Sequence, residues 1–138
     1  MFQKMVDAAE FIKTLYIKER TIEALELDVT HSRLTLKIDR LSRIRSADGD
    51  WDFYTAEDIE HCRIIFAGCT CFELATAGRI PRELVGIARL CKLEPHKYYI
   101  EIDASQYDFD LHDVADNKIK ITFTEIYLED DCGNVIRS

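Results

Sequence analysis

The stretch Leu25-Glu-Leu-Asp-Val-Thr-His-Ser-Arg-Leu-Thr-Leu-Lys-Ile38 decides the fold class. Leu25, Leu27 and Val29 alternate with Glu26 and Asp28; Leu34, Leu36 and Ile38 alternate with Thr35 and Lys37. A period of two is the period of a strand with one apolar face. Folded about His31-Ser32, the two runs pair Val29 with Leu34, Leu27 with Leu36 and Leu25 with Ile38. The same register sets Glu26 across from Lys37 on the polar face, so both faces agree on it. His-Ser is not a favoured two-residue turn, which leaves room for a longer loop. The expectation is an antiparallel hairpin with one face in water.

Outward from the hairpin the same alternation recurs. Tyr98, Ile100 and Ile102 alternate with Glu101 and Asp103; Ile119, Ile121 and Phe123 alternate with Lys118, Lys120 and Thr122 before the phase slips near Glu125. Residues 62–76 read as one long buried strand, with Gly68 where a bulge or close approach would fit. Upstream, Met5, Ala9, Ile12 and Tyr16 stand at helical spacing, widened by Ala8, Phe11 and Leu15, and predict an amphipathic helix of roughly three turns. After Ile80-Pro81, Leu84, Ile87, Ala88 and Cys91 also stand at helical spacing, with Pro81 suited to a helix start; Gly86 weakens that reading and leaves a bulged strand as the alternative. Half-polar strands without regular βαβ alternation argue against a doubly wound sheet. The expected fold class is therefore α+β: a curved, mostly antiparallel sheet or half-open barrel of five to six or more strands, with an N-terminal helix and room for a second short one. The 138 residues and 16.0 kDa suit one domain spanning 1–138.

Charge is unevenly spread. The chain carries a formal −8. Residues 103–138 hold nine acids against Lys118, Lys120 and Arg137, whereas residues 33–45 hold Arg33, Lys37, Arg40, Arg43 and Arg45 against Asp39 alone. An acidic total disfavours phosphate backbones, so nucleic acid is an unlikely partner on this count. The five cysteines are irregularly spaced and no export segment is evident, which reads as reduced thiols in a cytoplasmic protein. No apolar run approaches the ~20 residues of a membrane-spanning helix.

Searching for chemistry returns little. No serine stands in G-x-S-x-G, the five glycines form no phosphate loop, and the four histidines make no HxH or HxxxH pair. Asp48, Asp50 and Asp52 begin like a calcium loop, but Phe53 and Ile59 occupy the positions that need Gly and Glu. No cofactor, metal or catalytic residue is expected on this reading. The odd feature is the acidic run from Asp103 to Asp116, in which Asp108 and Asp110 flank Phe109 at strand spacing and Asp113 and Asp116 follow around His112.

The run LYIKERTIEALELDVTHSRLTLKID, the element Phe66-Ala-Gly68-Cys-Thr-Cys-Phe72 and the later strands YYIEI and KIKITFTEIYLED together resemble small bacterial β-rich domains of the immunity protein 50 type. The similarity spans roughly residues 12–130. Many such domains carry a His-Asp pair before the first strand where this chain has Glu19-Arg20, so no residue role comes with it. The resemblance implies a β-rich, non-enzymatic interaction module.

Two functions are expected from these readings. The first is a protein-interaction or immunity-type module, docking an acidic surface of Asp108, Asp110, Asp113, Asp116, Asp130 and Asp131 against a basic protein partner. The second is a small-ligand binder or enzyme with a pocket between sheet and helix, lined by Trp51, Phe53, Tyr98 and Tyr99. Bipolar charge and free sheet edges also admit a homodimer.

Overall fold

The computed structural model describes residues 7–43, 57–76, 80–110 and 112–137. Helix α1 (Ala8–Lys13) is followed by β1 (Leu15–Tyr16), β2 (Ile22–Asp28), β3 (Arg33–Arg43), β4 (Glu57–Ala67), β5 (Cys71–Ala75) and β6 (Gly86–Glu94). Then come β7 (Lys97–Asp103), β8 (Gln106–Asp108), β9 (Asp113–Ala115), β10 (Lys118–Phe123), β11 (Glu125–Glu129) and β12 (Val135–Ile136). The larger sheet runs β1-β3-β4-β11-β12, with β2 also on β3; the smaller runs β5-β10-β7-β6; β8 and β9 pair with each other. Every pairing is antiparallel.

One strand pair belongs to both sheets. β4 pairs with β11 from Arg63 opposite Glu129 to Ala67 opposite Glu125. After a short break the same two chain segments continue as β5 and β10, from Cys71 opposite Thr122 to Ala75 opposite Lys118. The ribbon changes sheets at Gly68, whose φ of +61° suits glycine, and at Thr124, whose N–H donates to Ala67 O at 3.0 Å. Strands that switch sheets at a bulge make the corners of orthogonally packed sheets. The gap between the β1–β2 link and the segment before β6 carries three backbone bonds: Glu19 N–H to Leu84 O, Leu84 N–H to Arg20 O and Ile22 N–H to Arg82 O. Among the described residues the sheets are not closed into a barrel.

The inner faces share one core. Leu34, Leu36, Ile38, Ile64 and Phe66 of the larger sheet meet Ile100, Ile102, Ile119, Ile121 and Phe123 of the smaller, all essentially without solvent contact. Phe66 meets Phe123 edge-on at 5.0 Å, and Phe123 stacks on Tyr98 at 5.7 Å. Each such side chain contributes about 1.5–3 kcal/mol through burial. Phe11 and Ile12 of α1 complete the cluster from one end.

Several expectations need correction. The helix has six residues, because Leu15 and Tyr16 join β3 instead of continuing the turn. Residues 62–76 are two strands in two sheets. Residues 86–94 form strand β6, and no second helix occurs among the described residues; the fold is β-rich with one short helix. β6 bulges against β7 near Ala88 and Leu93, which produces the helix-like spacing of its apolar residues. In the hairpin the pairs are Leu27 with Leu34 and Leu25 with Leu36, two residues from the expected register. The turn takes four residues, because the Asp28 carboxylate accepts His31 N–H at 3.1 Å and Ser32 N–H reaches Val29 O at 3.3 Å. A shift of two preserves which face is apolar, but Glu26 now lies opposite Thr35 and Val29 is exposed in the turn. The aromatic segment 51–54 lies outside the described residues.

Candidate functional site

The acidic run folds into an arm. At its base Asp103 accepts Ser105 N–H at 2.9 Å and Ser105 Oγ–H at 2.6 Å. Ala104 N–H donates to Asn117 O at 2.9 Å, and buried Asn117 returns its amide to Ala104 O at 3.3 Å. These bonds pinch the chain where it leaves β7 and re-enters at β10. Beyond the pinch, β8 and β9 run antiparallel with Gln106 opposite Ala115, Tyr107 opposite Val114 and Asp108 opposite Asp113. No other strand pairs with them among the described residues.

The arm's tip turns through Phe109 and Asp110 to His112, which takes a φ of +54°. Phe109 is 80% exposed and Val114 is 61% exposed. Asp110 and Asp113 are exposed beside them, and Asp113 Oδ1 accepts Val114 N–H at 2.7 Å. Asp116 accepts from Lys118 Nζ at 3.1 Å and Ser105 Oγ at 3.1 Å; the Lys118 ammonium bond leads in holding its carboxyl below the usual carboxylate range. Asp110 sits in the turn, not in a strand as its spacing from Asp108 suggested.

Asp130 and Asp131 stand elsewhere. β10 and β11 are consecutive along the ribbon, Asp116 before the first and Asp130 after the second, so the two acidic groups occupy opposite ends of it. The Asp130 carboxylate holds a turn, accepting Asn134 N–H at 2.8 Å, Cys132 N–H at 2.9 Å and Asn134 Nδ2–H at 3.0 Å, and these bonds keep its pKa low. Asp131 faces His61. The six aspartates therefore do not make one surface; Asp108, Asp110, Asp113 and Asp116 share the arm.

The basic run 33–45 is likewise divided. Arg33 Nη2 donates to Asp28 Oδ2 at 3.4 Å, and Tyr127 beside it leads in raising the guanidinium pKa. Arg43 is buried, with its guanidinium 5.1 Å above the Phe11 ring and Nη2 donating to Thr14 Oγ1 at 3.0 Å. Beside it Arg20 Nη2 donates to Ser42 Oγ, and Ser42 Oγ donates to Asp58, both at 2.7 Å. On the outer face of the larger sheet Arg33, Arg63, Glu26 and Glu129 rim an open groove of about 660 Å³ over Ile65.

A second cavity, about 230 Å³, lies between α1 and the ribbon corner. Tyr98 lines it and donates its hydroxyl to Asp7 Oδ2 at 3.0 Å; Tyr99 does not. Tyr99 projects to the opposite face, donating to Glu101 Oε1 at 2.6 Å, a bond that raises its phenol to about 12. Trp51 and Phe53 lie outside the described residues. Asp7, Lys92, His96 and Arg137 border the cavity and were not singled out from the sequence. One cue existed: Asp7 three residues before Glu10 has the spacing of a helix N-cap, and Asp7 Oδ1 does accept Ala9 N–H at 2.8 Å.

No group of three or more metal-ligating side chains occurs among the described residues, and no helix among them is long and apolar enough to cross a membrane. Neither a curated protein nor a solved structure matches the chain. A family model matches residues 5–137, nearly the whole chain, which thus belongs to a family of unknown function, DUF6258.

Proposed function

We propose that the chain is a non-enzymatic interaction module whose β8–β9 arm docks into a basic cleft on a partner protein, in the manner of an immunity-type inhibitor. The observation that carries this reading is Phe109, 80% exposed at the tip of a hairpin that also bears Asp108, Asp110, Asp113 and Asp116. An aromatic anchor within a charged rim is the usual anatomy of an interface hot spot. The backbone ladder gathers the acidic positions on the arm, with Asp108 in register with Asp113. Rim charges act mainly on encounter rate and salt sensitivity, while a seated Phe109 slows dissociation.

The test is capture of a partner from native lysate by tagged protein, at low and high salt, alongside Phe109→Ser and Asp108→Asn/Asp113→Asn variants. A stoichiometric basic protein is expected on the parent chain, released by salt and absent from both variants. Equal capture by the parent and both variants would remove the arm from the interface. Capture of a second copy of the chain would place the same surface in a homodimer.

A further inference from the structure

We propose that the 230 Å³ cavity between α1 and the ribbon corner binds a small organic anion, with a carboxylate head and a compact apolar body. This inference is independent of the arm. The cavity has an apolar floor of Phe11, Ile126 and the Tyr98 ring, and a rim that includes Lys92, His96 and Arg137. What decides the ligand's charge is the balance of donors and acceptors at that rim.

The acceptors already have partners. Asp7 Oδ1 takes Ala9 N–H at 2.8 Å, while Asp7 Oδ2 takes Lys92 Nζ at 3.1 Å and Tyr98 Oη at 3.0 Å. Glu125 takes the Arg137 guanidinium through Oε1. The donors have capacity left. An ammonium carries three N–H groups and a guanidinium five. Lys92 directs one of its three to Asp7, and Arg137 directs Nη1 to Glu125 while its plane lies 4.5 Å from the Tyr127 ring centroid. Both side chains stay half-exposed, so the remaining N–H groups are accessible from the cavity mouth. Asp7 is nearly filled and Glu125 keeps one oxygen, whereas Lys92 and Arg137 keep about six N–H groups between them, on two walls, so the balance favours an anion.

Size and floor choose the body. The volume lies below the ~300–1,000 Å³ of sites for drug-sized ligands, so it suits one ring or a short branched chain. Inorganic phosphate satisfies the rim and leaves the apolar floor uncovered, so it binds more weakly than an aryl or alkyl carboxylate. Charge-assisted bonds to a carboxylate are stronger than neutral ones, so the charged head outweighs its neutral amide counterpart.

The experiment is an NMR titration of the full chain with benzoate, benzamide and inorganic phosphate. Benzoate is expected to shift the amides of Lys92, Thr124 and Ile126 saturably in the millimolar range. Benzamide is expected to bind about tenfold more weakly, as loss of a charge-assisted bond implies. Arg137→Gln and Lys92→Gln should each weaken benzoate by a similar factor. Arg137→Gln leaves the Asp7–Lys92–Tyr98 contacts intact, so it tests the site even if Lys92→Gln loosens α1. Equal binding of benzoate and benzamide, phosphate binding as tightly as benzoate, shifts confined to other residues, or no saturation would each overturn the proposal.

Discussion

The chain of β4 turns within the strand at His61 and again just past its end at Gly68, and the two turns use different materials. At Gly68 the ribbon passes between sheets, and a Cβ there would sit 2.0 Å from Thr124 Oγ1. Thr124 closes the corner from the facing strand, with its N–H and hydroxyl both donating to Ala67 O. His61 takes a φ of +49° in the open, where the phase of both β3 and β4 slips. Asp39 and Arg40 are both exposed between buried Ile38 and Leu41, and Ile38 remains opposite Cys62 as Arg40 remains opposite Glu60. The imidazole reaches across β3, and Nδ1 meets Glu23 Oε1 at 2.7 Å on bulged β2. A crowded corner excludes every side chain; an open one tolerates a residue such as histidine and puts its side chain to use.

Substitution at Gly68 tests the crowded half of that contrast. Gly68→Ala combines positive φ with overpacking and should cost about 2–4 kcal/mol in urea unfolding. Thr124→Ala in the same chain should recover part of the loss by removing Oγ1. A Gly68→Ala chain as stable as its parent would mean that the corner is not crowded.

At the open turn the effects are smaller. His61→Val places a β-branched residue at positive φ and should lower Tm by roughly 2–6 °C, whereas His61→Asn should remain close to the parent. The contact itself depends on pH. Glu23, first through its hydrogen bond and then through its charge, raises the His61 pKa above 6.5, with Asp131 adding and Lys37 opposing. A raised folded-state pKa means that the contribution is complete below the unfolded value near 6.5. It is lost as pH rises through the folded value. Tm measured from about pH 5.5 to 8.5 should therefore show a decline that Glu23→Gln abolishes. An unchanged slope in Glu23→Gln would detach His61 from the bridge.

The arm sets the lower bound of the series. Among the described residues its strands share no rungs with the ribbon and Phe109 is 80% exposed, so Phe109→Ser should change stability by less than about 0.5 kcal/mol. A larger loss would show that Phe109 is part of the packed structure.

Elements with plain alternation were legible in the sequence. β7 and β10 occupy the runs Tyr98–Ile102 and Ile119–Phe123, and β2–β3 occupy the opening hairpin. The hairpin's register was not, because a side-chain-capped turn of four residues pairs the same alternating pattern as a turn of two. Gly68 stood out as a close approach, but a change of sheet leaves no mark on hydrophobic periodicity. β6 imitated a helix because its two bulges shift the spacing of its apolar residues. At the candidate site, composition located the arm but overstated its charge. Asp130 belongs to its own turn and Asp131 to the other end of the ribbon, separations set by long-range pairing. Of the residues expected to line a pocket, Tyr98 borders this cavity and Tyr99 does not, while Lys92 and Arg137 come from distant segments that only the fold brings together.

The ribbon also orders the events of folding. β4 and β5 emerge from the ribosome well before their partners, since Ala75 must wait for Lys118 and Arg63 for Glu129. Until then β5 lacks its neighbour β10, and β4 is covered only by β3. The local hairpins β6–β7 and β8–β9 can form in the interval and shorten the chain that must be gathered to close the ribbon. High sequence separation of this kind places folding in the slower, millisecond-to-second class. The nascent chain is then most vulnerable to edge-to-edge aggregation just before its last strands are synthesised.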